Sequence, residues 1–184
     1  MLRRSYVAGS AWAATLALLL CALHVTAEPQ TDTDARAFLN QTEIPWKINE
    51  HQVARWKTLV GGAEGGQIDQ SDVRFGLWEL APGAIYHLHV HDVPEIYYIT
   101  AGRARWTVGD ETQDIGPGTA VYTQPGAEHR MENLTDAPVS ALWFWWAPNG
   151  DTSAFSGDYR FTEPAPEPPV GVGFPAEEVQ RLYD

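Results

Sequence analysis

The chain has 184 residues, of which 24 are acidic and 12 are basic, and its formal net charge is −12. This acidic balance argues against nucleic acid and anionic membrane surfaces as partners, because both repel a negatively charged protein. The length suits a single domain that buries a sizeable core.

Residues 1–27 predict a secretory signal peptide. Arg3 and Arg4 precede an apolar run from Ala8 to Leu20, and small residues up to Ala27 suit a cleavage site. A membrane anchor fits less well, because the run is shorter than the roughly 20 residues that a span needs. Cleavage would remove two basic residues and the single cysteine, leaving 157 residues with a net charge of −14. We expect the mature protein to be periplasmic or secreted, with no membrane attachment.

Residues 28–52 predict a polar N-terminal arm with at most a short helix near Asp34 to Leu39. The segments that follow alternate in polarity or are rich in bulky residues, as strands are. The predicted strands include Val53–Val60, Val73–Leu80, Arg103–Val108, Ala120–Thr123 and Val139–Ala147. About eight short strands, with turn signals every eight to twelve residues, predict an all-β sandwich or barrel over residues 53–161.

The C-terminal segment 162–184 is rich in proline and predicts a tail that wraps the barrel or a neighbouring subunit. A short helix is predicted at its end, from Ala176 to Leu182.

The stretch from Gly83 to Gly102 reads GAIYHLHVHDVPEIYYITAG and concentrates histidines. Successive residues of a strand point to opposite faces, so His87, His89 and His91 are predicted to share one face. The same alternation predicts a cluster of imidazoles on one side of the sheet.

The residues that follow can return on a second strand, where Glu95 and Tyr97 again share a face. Imidazoles suit zinc, iron, nickel or copper, and an added carboxylate suits a first-row divalent metal. A further ligand is expected downstream at His129, which opens a strand after the Pro125-Gly126 turn. The sequence therefore predicts a metal site.

These two segments resemble the two motifs of the cupins, which are small β-barrels with a metal inside. The first motif is matched by Gly83, His89, His91, Glu95 and Gly102, and the second by Gly118, His129 and Asn133. Gln124 departs from the second motif, where the family usually has proline. The resemblance implies a single cupin barrel, a double-stranded β-helix of jelly-roll type. It also implies one divalent metal (Fe, Mn, Zn or Ni) held by His89, His91, Glu95 and His129. The alternative is a cupin that has lost its metal and keeps these residues as barrel lining.

A narrower similarity is to the cupin dimethylsulfoniopropionate lyases, through LWELAPG, HLHVHDVPEIYYITAG and AVYTQPGAEH. In that family the tyrosine two places after the motif glutamate removes a proton beside the substrate carboxylate, which implies Tyr97 as the catalytic base. A second tyrosine after the last barrel strand can line the site, and Tyr159 is a loose match. Aromatic residues that could face a sulfonium group are Trp78, Tyr122 and Trp145.

Two further expectations concern residues beside the motif ligands. His87 is predicted to contact substrate or carry a proton rather than bind the metal, because His89 and His91 already serve as the motif ligands of that strand. At most two of the four aromatic residues 143–146 can line the cavity, since neighbours face opposite ways. The other two need a cover, such as a second subunit in a homodimer.

Three functions remain open on the sequence alone. The first is a redox-neutral, metal-dependent lyase that acts on a small carboxylate by β-elimination. The second is an iron- or copper-dependent dioxygenase, which the same donor set would suit. The third is a non-catalytic cupin that binds a small molecule or sugar, since a fold does not determine a function.

Overall fold

The computed structural model describes residues 36–49, 51–61, 67–156, 159–164, 168 and 170–175. These residues belong to the compact unit Asp34–Asp184. The predicted signal peptide and the predicted helix at 176–182 lie outside the described residues. Within the described ranges, none of the helices has the length and apolar character that crossing a membrane requires.

The described residues form strands joined by turns and by three short 3-10 helices. The strands are β1 (Lys47–Ile48), β2 (Ala54–Val60), β3 (Val73–Leu80), β4 (Ile85–Val90), β5 (Glu95–Ala101), β6 (Ala104–Val108), β7 (Glu111–Ile115), β8 (Ala120–Thr123), β9 (His129–Asn133), β10 (Val139–Trp146) and β11 (Arg160–Phe161). The all-β prediction is confirmed, and the predicted strands agree with β2, β3, β6, β8 and β10 to within one residue at each end.

Three strands were not predicted from the sequence, and the reason can be identified for each. Strand β7 carries ETQDI and buries only its last residue, so it lacks the alternation that marks a strand. Strands β1 and β11 have two residues each, too few for a pattern. The short helix expected near Asp34 to Leu39 is not found in residues 36–40. A 3-10 turn, Gln41–Glu43, follows instead, and Asn40 caps it.

Two antiparallel sheets form the jelly-roll-like sandwich. One sheet has the order β1-β2-β3-β10-β5-β8, and the other has the order β11-β4-β9-β6-β7. Their inner faces meet through aromatic side chains: Trp78 of β3 contacts Tyr86 of β4 and Trp106 of β6, at 5.9 and 6.1 Å between ring centroids. The hydrophobic core therefore lies between the sheets, beside the cavity described below.

In the six-stranded sheet, directly opposed residues of neighbouring strands share a face, so the inner face consists of rows of cross-strand partners. One row consists of Arg74, Trp145, Glu95 and Thr123, and the next consists of Thr58, Gly76, Trp143, Tyr97 and Val121. Gly76 leaves room for its neighbour, since a Cβ there would lie 2.9 Å from Nε1 of Trp143 and 1.8 Å from the carbonyl oxygen of Lys57.

Two features close the sandwich. The buried amide of Asn133 donates to the carbonyl oxygens of Leu80, Ala81 and Ala137 at 2.8–3.1 Å, which joins the end of β9 to the end of β3. Within the C-terminal tail, Phe174 is buried, and its backbone N–H donates to the carbonyl oxygen of Gln52. This part of the tail therefore packs against the barrel of its own chain.

Candidate metal centre

A β-bulge positions the first histidine. Strand β4 pairs with β9 first through Tyr86↔Met131 and then through His89↔His129. Between these two pairs the chain advances three residues on β4 but only two on β9. An extra residue in one strand reverses the alternation beyond it. Tyr86 and His89 therefore both point inward, with ring centroids 5.0 Å apart.

The second motif is tied directly to the first. Gly126 has φ of +76°, a conformation that favours glycine, and its N–H donates to the carbonyl oxygen of His91 at 2.9 Å. This turn starts β9 so that His129 lies beside the inward-facing His89, with the two ring centroids 3.9 Å apart. Gln124, which departs from the motif, precedes the turn without altering this arrangement.

The predicted ligands converge in the interior. His89, His91 and His129 each offer a nitrogen, and these atoms lie within 4.8 Å of one another. Oε2 of Glu95 lies 3.1 Å from Nε2 of His91 and 3.1 Å from Nε2 of His129. All four side chains are at most 3% exposed. Separations of about 3 Å suit donor atoms that share one ion at roughly 2.0–2.2 Å.

The hydrogen bonds of the rings show that the donor set fits a cation. Each Nδ1 contacts a backbone carbonyl oxygen at 2.8–3.0 Å: that of His87 for His89, Val93 for His91, and Ala127 for His129. A carbonyl only accepts, so Nδ1 carries the hydrogen and Nε2 of a neutral ring presents a lone pair. The Nε2 lone pairs of His91 and His129 then face Oε2 of Glu95 at 3.1 Å. A cation shared by these atoms stabilises this arrangement.

The electrostatics agree with this reading. Burial, followed by the neighbouring His129, lowers the pKa of His89 to about 3, so its ring is neutral and able to coordinate. Burial disfavours the ionised form of Glu95, but hydrogen bonds and positive charge from protonated His129 and His91 outweigh burial and hold the pKa of Glu95 below its ordinary value. When those rings are neutral, with hydrogen on Nδ1 only, a cation bound between the Nε2 atoms and the carboxylate stabilises the ionised form in the same way. Oε1 of Glu95 also accepts a hydrogen bond of 2.6 Å from Nε1 of Trp145, which fixes the carboxylate. Three buried histidines and an ionised carboxylate can thus bind a metal.

Thr123 is the cross-strand neighbour of Glu95 and is fully buried. Its Oγ1 has no hydrogen-bond partner among the described residues. A buried polar atom without a partner costs free energy and commonly marks a bound ion or water. This orphaned hydroxyl adjoins the predicted site.

Tyr97 lies on the same wall as Glu95, as predicted from their spacing. The ring is 5% exposed and is held between Trp78 at 5.4 Å and Trp106 at 4.9 Å. Burial, followed by the negative charge of Glu95, raises the pKa of Tyr97 well above its ordinary value. A phenol in this position is neutral unless positive charge is placed beside it.

A cavity of about 350 Å³ connects this cluster to the surface. Its lining comprises Lys47, Trp56, Thr58, Arg74, Trp78, Tyr86, His89, Glu95, Tyr97, Trp143, Trp145 and Tyr159. Of the aromatic block 143–146, Trp143 and Trp145 face the cavity, and the other two residues lie on the outer face of the sheet, as their alternation predicts.

Two tyrosines form a pair beside the histidines. The hydroxyl oxygens of Tyr86 and Tyr159 are 2.6 Å apart, and burial raises the pKa of Tyr86 to about 12. The ring of Tyr159 lies 5.2 Å from that of His89 and stacks on that of His91 at 6.1 Å. The structure therefore brings Tyr159 into the cavity, together with Tyr86, which the sequence reading did not select.

Two predicted substrate contacts lie elsewhere. The bulge in β4 turns His87 away from the face of His89. Burial, followed by the nearby His51, lowers the pKa of His87, and the other charges that act on it, Glu163 and Arg130, also lie outside the cavity lining. Tyr122 neighbours Ile96 rather than Glu95, so it lies on the outer face of its sheet, where it is 55% exposed and stacks on Trp146. Neither residue lines the cavity, and both placements correct the sequence-based assignment.

The mouth of the cavity contains side chains that no motif singled out. Lys47 comes from the two-residue strand β1, and Trp56 and Thr58 come from β2. Arg74 is the first residue of β3 on the inner face of the sheet, and its guanidinium carbon lies 4.8 Å from the ring centroid of Phe155. Alternation within Val73–Leu80 was the only available signal, and it does not say which face is inward.

Known proteins share this architecture. The profile of the cupin domain matches residues 76–145. Dimethylsulfoniopropionate lyase DddW of Ruegeria pomeroyi is 33% identical over 111 residues, which cover 60% of this chain and 68% of that protein. Dimethylsulfoniopropionate lyase DddQ of the same organism is 32% identical over 88 residues, 47% of this chain and 42% of that protein.

A crystal structure of DddQ from Ruegeria pomeroyi superposes with a TM-score of 0.54 at 25% identity, covering 73% of this chain and 64% of that chain. These matches thus span between 42% and 68% of the relatives' own lengths. The cupin-domain match, residues 76–145, includes both motif segments and the strands that carry the predicted ligands. The chain belongs to the cupin superfamily, and within it the chain resembles the dimethylsulfoniopropionate lyases.

Proposed function

We propose that the protein is a metal-dependent lyase that acts on a small carboxylate by redox-neutral β-elimination. One observation carries the proposal: a buried phenol, Tyr97, lies on the same cavity wall as Glu95, whose carboxylate contacts His91 and His129. A general base beside a cation site is the arrangement that proton abstraction next to a carboxylate requires.

His89, His91, Glu95 and His129 would hold one divalent ion of iron, manganese, zinc or nickel. When bound, that ion supplies Lewis acidity toward a substrate carboxylate and positive charge that favours a phenolate nearby. Trp145 keeps Glu95 in place through its 2.6 Å hydrogen bond. The aromatic walls exclude water, which strengthens electrostatic interactions within the cavity.

Tyr97, as its phenolate, takes the proton from the carbon next to the carboxylate. The electrons of that C–H bond form a carbon–carbon double bond, and the bond to the β-substituent breaks. The leaving group departs with its electron pair, so no oxidant or reductant is consumed. Contacts with Trp78 and Trp106 hold the tyrosine ring in one orientation throughout.

The similarity to DddW and DddQ supports this choice of reaction, and makes dimethylsulfoniopropionate the first compound to test. Elimination from a sulfonium releases a neutral thioether and an unsaturated acid. Trp78 and Trp145, which line the cavity, offer aromatic faces to a cationic group.

The test is an anaerobic incubation of metal-loaded protein with dimethylsulfoniopropionate and a panel of β-substituted carboxylates, followed by proton NMR. The lyase predicts a vinyl product without oxygen. A product that forms only with oxygen and a redox-active metal would support the dioxygenase instead. Saturable binding without any product under either condition would support a non-catalytic small-molecule or sugar-binding protein.

We also propose that the mature protein is exported to the periplasm or beyond after removal of residues 1–27. Arg3, Arg4 and the apolar run that follows them support this proposal. Mass spectrometry of protein recovered from an exporting host should give an N-terminus at Glu28, and an intact Met1 in exported protein would contradict it.

A homodimer through the outer face of the six-stranded sheet is a further proposal. Its central rows, Leu77–Leu142–Tyr98 and Phe75–Phe144–Ile96–Tyr122, carry no carboxylate, so two acidic copies could pack there without opposing carboxylates. Light scattering should give twice the chain mass, and a monomer at micromolar concentration would contradict it.

A further inference from the structure

We propose that Arg74 forms a second anion-binding subsite in the cavity, so that the preferred substrate is a small dianion rather than a carboxylate with a cationic leaving group. One anionic group would lie at the histidine cluster, and the other would bind the guanidinium. The inference rests on the proposed function for the first of these positions, and it narrows the substrate class.

The sheet register sets the distance between the two positions. Arg74 is the cross-strand partner of Trp145, and Trp145 is in turn the partner of Glu95. Neighbouring strands lie about 4.8 Å apart, so the Cα atoms of Arg74 and Glu95 are separated by roughly 10 Å. The indole of Trp145 lies between them and hydrogen-bonds to Glu95. The side chains of Arg74 and Glu95 therefore line one cavity from the same row of the sheet, two strands apart.

Arg74 has the surroundings of an anion receptor. Its guanidinium lies against the ring of Phe155, 4.8 Å from the centroid, which orients the planar group. Among the described residues, no carboxylate lies within ion-pair distance of the Arg74 guanidinium, whereas Arg55 and Arg105 each pair with one. The planar donors of Arg74 match a carboxylate, phosphate or sulfonate.

Lys47 lines the same cavity as Arg74. A sulfonium group at this end would meet the guanidinium, which has the same sign of charge. The aromatic walls suit a cation, but the charge of Arg74 favours an anion, and a full charge outweighs a ring quadrupole at similar distance. The two ends of the cavity therefore select for a molecule that is negative at both ends.

The test is calorimetric binding to metal-loaded protein, using pairs of probes that match in carbon number: glutarate against pentanoate, and succinate against butyrate. We expect the dianion of each pair to bind about ten- to a hundredfold more tightly, the usual effect of one charge-assisted hydrogen-bonding group. Arg74→Gln should abolish this preference, and Arg74→Lys should restore part of it. Arg103→Gln, which removes the same charge from an exposed position outside the cavity, should leave it unchanged.

Equal affinity of wild type for both members of each pair, or a preference that survives in Arg74→Gln, would overturn the proposal, as would absence of binding by all four probes. Metal content and thermal unfolding of each variant establish that it is folded. The experiment measures binding rather than turnover, so its result can be interpreted whether or not the lyase proposal is correct. Turnover of dimethylsulfoniopropionate that Arg74→Gln leaves unchanged would contradict only the subsite, whereas a dianion preference without any elimination would contradict only the lyase.

Discussion

The metal end and the mouth of the cavity are built in different ways. The candidate metal end uses four side chains that are at most 3% exposed and come from two short motif segments; backbone carbonyls hold the three histidines, and Trp145 holds Glu95. The mouth uses Lys47, Trp56, Thr58 and Arg74, which lie on the three neighbouring strands β1, β2 and β3 and belong to neither motif. The difference suggests that chemistry resides in the compact motif and that substrate choice resides in the dispersed rim.

The largest expected effect comes from breaking the metal end. His129→Ala removes a fully buried ligand, so we expect loss of bound metal and of detectable elimination. Since a ligand present at a thousand times its Kd stabilises the native state by about 4 kcal/mol, metal loss should lower the Tm by roughly 10 °C. Calorimetry with and without chelator measures this shift. A chelator that lowers the Tm of wild type and of His129→Ala equally would contradict the assignment.

Tyr97→Phe tests the proposed base beside the candidate ligands, because it removes a hydroxyl and keeps the ring packed against Trp78 and Trp106. We expect kcat to fall by a factor on the order of 100 to 10,000, the usual contribution of a positioned base. Metal content and Tm should stay close to those of wild type. Single-turnover kinetics measure the effect, and a kcat equal to that of wild type would exclude Tyr97 as the base.

A smaller effect is expected at the boundary between the two ends. Tyr159→Phe removes the 2.6 Å hydrogen bond to Tyr86 in a residue that is 41% exposed. A hydrogen bond of this kind contributes about 0.5–1.5 kcal/mol, so KM should rise roughly three- to tenfold with little change in kcat. Steady-state kinetics separate the two constants. A fall in kcat as large as that of Tyr97→Phe would move Tyr159 into the catalytic step.

The smallest effects are expected where sequence reasoning placed contacts that the structure does not. His87→Ala and Tyr122→Ser alter side chains outside the cavity, so kcat/KM and metal content should each change by less than about twofold, as for most surface substitutions. Steady-state kinetics and elemental analysis of the two variants check this. Loss of activity in either would show that the cavity extends beyond the residues named above.

The sequence predicted that His89, His91 and His129 meet near Glu95, because the two motif segments that carry them have a recognisable spacing. Glu95 and Tyr97 lie on one face since β5 has no irregularity between them. His87 and His89 do not, because the bulge in β4 reverses the alternation, and the residues IYHLHV carry no mark of it. Tyr86 was missed for the same reason.

The mouth could not be predicted, because the register of distant strands decides its membership. Nothing in VRFGLWEL says whether Arg74 or its neighbours face inward until β3 is paired with β10. Lys47 reaches the cavity from a strand of two residues, too short to leave a pattern. Tyr122 was misassigned on the same ground, since its face depends on pairing with Ile96.

The metal assignment can be tested by the metal content of wild-type protein purified without chelator and then reconstituted with each of iron, manganese, zinc and nickel. Elemental analysis should give one divalent ion per chain, held by His89, His91, Glu95 and His129. Protein that binds no divalent ion after reconstitution, yet unfolds cooperatively, would contradict the central claim that this buried cluster is a metal centre.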